Sequence, residues 1–165
     1  MRRLGRRDKG PDTSDVALVK GERVSAVARA ATGERIVTTN LAIYLGDARW
    51  PWDRITKAVW DAGERTLTVI GSASPDEAAR TLVVRLDDAT RLLEVVRSEV
   101  TSNVVVAQRI ESPGFGGAWV TARRVPGADE LRWSVVFDPG RDPRDPELRA
   151  WADRNVAEIR ASTGV

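Results

Sequence analysis

The chain has 165 residues, 42% hydrophobic and 30% charged, with 26 basic and 24 acidic side chains for a net charge of +2. That length suits one domain, or one domain with a compact extension, and the balance suits a globular chain rather than a disordered or membrane-embedded one. Histidine and cysteine are both absent, which excludes Ser-His-Asp and Cys-His catalysis, the common zinc sites, haem ligation by histidine and every disulfide.

The charge is uneven. Arg2, Arg3, Arg6, Arg7 and Lys9 stand against Asp8 in the first ten residues, so a tail at +4 leaves −2 for the remainder. Residues 1–20 read as a basic, flexible tail, polar and carrying Gly5, Gly10 and Pro11. The best apolar run nearby, Val16-Ala17-Leu18-Val19, is too short for a signal peptide or a membrane span. No other stretch approaches the required length, so no transmembrane segment is expected and the expected location is cytoplasmic. Arg2, Arg3, Arg6 and Arg7 are the expected contacts for nucleic acid or an anionic membrane surface, both weak partners by this count.

From Glu22 the chain breaks into short apolar runs. Arg23–Arg29 puts Val24, Ala26 and Ala28 on one face, and Thr32-Gly33-Glu34 turns the chain. Arg35–Thr39 is rich in β-branched residues, and Leu41–Leu45 alternates before Gly46-Asp47. Arg49–Trp52 is a short strand that Pro51 makes an edge or a bend. Ile55–Trp60, Arg65–Ile70 and Arg80–Leu86 complete seven strands. The period then becomes helical. Leu92, Leu93, Val96 and Val100 form one stripe in Ala89–Ser102, with Asp87 or Asp88 as the expected N-cap. Three further strands follow, at Val104–Ile110, Ala118–Val125 and Leu131–Phe137. Asp145-Pro146-Glu147 opens a last helix: an acid at the cap, a proline where its missing N–H does no harm, an acid in the first turn. Leu148, Trp151, Ala152, Val156 and Ile159 give that helix a buried stripe, and Gly164 ends it.

Seven short strands followed by a helix resemble a pleckstrin-homology (PH) domain. The stretch Gly33–Gly71, with its Trp52-x-x-Ile55 and Leu67-x-Val69, is similar to the bacterial PH-like pattern that recurs in actinobacterial proteins of unknown function. The bias of 23 arginines to 3 lysines fits that origin. The resemblance covers residues 21–103. It implies a seven-stranded antiparallel barrel or sandwich with a capping helix; with the three antiparallel strands and the C-terminal helix read at 104–165, expected to pack on it, the chain is expected to be α+β. It also implies binding rather than chemistry, a scaffold or docking protein for a protein partner or for a second copy. Lipid-binding PH domains gather several cations on the first hairpin. Here Arg29 and Arg35 flank Glu34, too weak a set for a polyphosphate. The helix–three strands–helix order of 88–161 is also that of double-stranded-RNA-binding domains, but its last helix starts with acids where phosphates would need cations.

Candidate sites are few. Six tryptophans occur beside one tyrosine and two phenylalanines, and Trp50 and Trp52 are the expected partner-binding pair, with Arg123 as a third contact that can flank a groove with Arg132 or Arg109. Core packing is the competing use of all six indoles. Asp138, Asp142 and Asp145 sit among prolines and lack the calcium-loop order, so no metal is expected. Gly114, Gly116 and Gly117 precede a strand rather than a helix, so they are not read as a phosphate loop. Glu22, Asp53, Glu99 and Glu111 are the carboxylates open to acid–base work, and none is singled out. No catalytic residue and no cofactor is expected.

Overall fold

The structure, a computed structural model, describes residues 16–71, 80–87 and 89–164. The tail arginines Arg2, Arg3, Arg6 and Arg7 and the cap candidate Asp88 lie outside the described residues.

Strands β1 (Val24–Arg29), β2 (Arg35–Thr39), β3 (Ala42–Leu45) and β4 (Ala48–Pro51) form one antiparallel meander in chain order. Gly33 and Gly46 make two of its turns at φ 93° and 52°, a region that costs glycine nothing. A single 3₁₀ turn, Trp52–Arg54, leads to a second meander of β5 (Ile55–Asp61), β6 (Thr66–Gly71) and β7 (Thr81–Arg85). One isolated bridge, Ala30 with Leu86, links the two sheets at a corner. On the opposite side no ladder joins β4 to β5. Seven strands are present as expected, but they do not make a closed barrel. Pro51 has no N–H to extend the ladder, and the 3₁₀ turn carries the chain across the gap instead.

Helix α1 (Thr90–Ser102) packs Leu92 and Val96 against Ile36, Ile43, Trp52, Ile55, Leu67 and Val69. This is the first core. The α1 N-cap is Ala89 and gives no side-chain bond. Asp87 does not cap the helix; its carboxylate lies 3.8 Å from Arg65.

The second unit is a hairpin meander, β8 (Val104–Ser112), β9 (Gly116–Arg124) and β10 (Leu131–Phe137), followed by α2 (Pro146–Thr163). Leu148, Trp151, Ala152 and Ile159 of α2 cover Ile110, Ala118 and Val120 on one face of the sheet. Asp145 accepts from the Glu147 and Leu148 amides, and Gly164 closes the helix at φ 67°, so both ends are as the sequence implies. The Arg160 guanidinium lies over the Trp133 ring, 4.9 Å from its centroid, and ties α2 to β10.

Only Asn103 separates α1 from β8. Arg123, on β9, is 6% exposed and crosses back to the first unit. It donates to the carbonyls of Val100 and Thr56, each at 3.0 Å. Among the described residues, no helix is long and apolar enough to cross a membrane.

Candidate functional site

A cleft of about 440 Å³ opens where β4 and the 3₁₀ turn meet the second unit. Arg49 and Trp50 come from β4, Asp53 and Arg54 from the turn, and Pro126 and Arg132 from the second unit. The Trp50 ring lies on bare backbone: a Cβ on Gly71 would come within 3.1 Å of it. Trp50 is half-buried and also packs on the first core.

Two arginines of the cleft are held from behind by buried carboxylates. Arg49 Nη2 is 3.0 Å from Glu22 Oε1, and Arg49 Nε donates to Glu22 and to the Tyr44 hydroxyl. The Glu22 side chain is 0% exposed, against 31% for Arg49. Tyr44 also donates to Glu22, as do the Val19 amide at 2.8 Å and the Thr39 hydroxyl at 3.3 Å. Burial pushes the Glu22 carboxyl up, but the bonds from Tyr44, Val19 and Arg49 outweigh it and hold the pKa below the ordinary value. Burial and the neighbouring Glu22 push the Tyr44 phenol up. In the same cleft, Arg132 Nε donates to Asp53 Oδ2, with side chains 41% and 4% exposed.

A second surface lies on the outer face of the β8–β9–β10 sheet, away from α2. Trp119 is 48% exposed and stands in register between Arg109 of β8 and Val136 of β10, itself 51% exposed. The Arg109 guanidinium is 6.0 Å from the Trp119 ring centroid. It also makes two parallel bonds to Asp138, at 2.7 and 2.8 Å. Those bonds, and the Gly117 amide, hold the Asp138 carboxyl below its ordinary pKa.

The sequence-predicted residues divide. Trp50 reaches the cleft. Trp52 does not reach a surface: it is 0% exposed, with Nε1 donating to the Thr39 carbonyl at 2.9 Å, because the 3₁₀ turn swings it into the core. Arg123 is likewise no surface contact, since both terminal nitrogens are engaged on carbonyls of the first unit. The exposed indole is Trp119. Its signal was the alternation of Ala118, Val120 and Ala122, small buried residues that place Trp119 on the other face. Of the four carboxylates considered, Glu22 and Asp53 are buried ion-pair partners, and Glu111 lies 3.4 Å from Arg109. Burial raises the pKa of Glu99. Among the described residues no three acids gather to hold a metal. Asp145 is spent on its cap, and Asp142 accepts from the Arg144 amide at 2.9 Å.

No protein-family model, no curated protein and no solved structure matches the chain.

Proposed function

We propose that the chain is a non-enzymatic binding protein, a PH-like module with a three-stranded extension, that associates with a second copy of itself through the outer face of the β8–β9–β10 sheet. The PH-like reading is supported by a four-stranded and a three-stranded antiparallel meander with one helix packed against both. The binding reading is carried by Trp119. The first unit covers the outer face at its Arg123–Arg132 end; the rest is left to solvent or to a partner, and it centres on an exposed indole beside Val136. A second copy is the occupant favoured because the patch carries both signs of charge. Arg109 lies beside the indole and is itself paired with Glu111 and Asp138, and a two-fold interface requires a surface that complements itself. The reading keeps the protein in the cytoplasm, acting as a scaffold.

Sedimentation velocity over a range of concentrations tests it. The full chain is expected to pass from monomer to dimer, and Trp119→Asp to remain monomeric with an unchanged circular dichroism spectrum. A native chain that stays monomeric across the range rejects the reading.

A further inference from the structure

We propose that the cleft between β4 and the second unit is a binding site for a phosphate monoester, gripped by Arg49 of β4 and Arg132 of β10, which both line it. Arg132 shares the sheet face of Trp119, four residues along β10 from Val136, but the cleft does not include Trp119 and the site does not depend on it. It also lies away from the β1–β2 hairpin, the place to which the resemblance directs attention.

The case rests on how the two guanidinium groups are spent. An arginine carries five N–H donors in a rigid fork. Arg49 uses Nε and Nη2 on Glu22 and Tyr44, which leaves Nη1 without a protein partner among the described residues. Arg132 uses only Nε, on Asp53, which leaves both of its terminal nitrogens. The counter-charges are out of reach, because the side chains of Glu22 and Asp53 are 0% and 4% exposed while those of their arginines are 31% and 41% exposed. Asp53 also lines the cleft, but its side chain is 4% exposed and its Oδ2 is engaged by Arg132, so a solute meets mainly N–H donors. Carboxylates set behind arginines also fix the direction of the forks, so little side-chain freedom is left to lose on binding. Arg54 and Arg80 line the same cleft with partners of their own inside the chain.

The ligand class follows from geometry and size. One arginine satisfies the two coplanar oxygens of a carboxylate. Donors arriving from two arginines suit the three terminal oxygens of a phosphate monoester, which a single fork cannot saturate. The remaining walls include Trp50, Leu41 and Pro126, an apolar surface for the body of the ester. About 440 Å³ falls within the range of small-molecule sites. The same phosphate chemistry occurs on soluble compounds and on lipid headgroups.

Calorimetry with phenyl phosphate, with benzoate as the carboxylate of like body, tests the site on the full chain. Vesicles of phosphatidylcholine doped with phosphatidic acid, sedimented with the protein, test the lipid source. Arg132→Lys and Arg49→Lys keep a positive charge for Asp53 and Glu22 while removing the fork, and circular dichroism checks that each variant is folded. Phenyl phosphate is expected to bind more tightly than benzoate, and each variant to weaken it by roughly ten-fold or more. Vesicle binding lost in the same variants assigns the phosphate to a lipid. Benzoate binding as tightly as phenyl phosphate, no binding to either phosphate source, or binding untouched by both variants overturns the proposal.

Discussion

The Arg123 guanidinium donates to the Val100 carbonyl at 3.0 Å, inside the last turn of α1. A helix C-terminus presents carbonyls that have no intrahelical partner and a partial negative charge, and both favour a cation there. The same side chain reaches Thr56 of β5, so one residue of the second unit ties down two elements of the first. Burial lowers its pKa. Arg123→Ala is expected to lower unfolding stability by about 2–3 kcal/mol, since it strands two partly buried carbonyls. Arg123→Lys is expected to recover only part of that, because an ammonium lacks the fork that spans both acceptors. Urea denaturation of the three proteins reads the order directly, and an alanine variant as stable as the native chain would sink the account.

That contact also shows where sequence reading stopped. Strand and helix positions were legible because each rests on neighbours in the chain: β-branched runs, glycine turns, and the Asp145 and Gly164 caps. The open side of the first unit was not, although Pro51 was visible, because a proline states that a ladder ends and not where the chain goes next. Trp52 and Arg123 were placed on a surface by residue type. Their partners, Thr39 and Val100, lie 13 and 23 residues away, and no local pattern encodes such pairs. The cleft was still less legible, since Asp53 and Arg132 are separated by 79 positions.

Glu22 and Glu99 are expected to respond to pH with opposite signs. The folded state lowers the Glu22 pKa, so its contribution is complete above the ordinary carboxylate value of 4.5 and is lost as pH falls below it. Glu22→Gln is expected to destabilise the chain at neutral pH and to flatten the acid limb of the stability profile. Burial raises the Glu99 pKa, so its ionisation above 4.5 works against folding. Glu99→Gln is expected to stabilise at neutral pH, with the gain fading toward acid. Thermal melts of both variants across the acid range decide this, and effects of like sign would contradict it.

Gly117 is needed for the Arg109–Asp138 pair. A Cβ there would overlap the Arg109 guanidinium and lie 2.9 Å from Asp138 Oδ2. Gly117→Ala is therefore expected to displace the pair and cost about 1–2 kcal/mol. Arg109→Ala removes the atoms in the way, so the double variant should lose less than the sum of the two singles. A double-mutant cycle by denaturation measures that coupling. Strict additivity would show that the glycine is needed for some other reason.

Three tryptophans that look alike in sequence are expected to rank in stability by what each indole touches. Trp52→Phe shrinks a fully buried ring and leaves the Thr39 carbonyl without its donor. Thr39 also organises the β2–β3 turn, its hydroxyl accepting from the Leu41 and Ala42 amides at 3.1 and 3.0 Å, so the loss reaches beyond the core. The cost should be about 2–4 kcal/mol. Trp50→Phe removes part of a half-buried ring lying against Gly71, with no hydrogen bond to lose, and about 1 kcal/mol is expected. Trp119→Phe acts on a ring that is nearly half exposed and should change monomer stability by less than about 0.5 kcal/mol. Denaturation at a concentration where the chain is monomeric separates the three. If Trp119→Phe proved as costly as Trp52→Phe, the division between core and open face would be wrong.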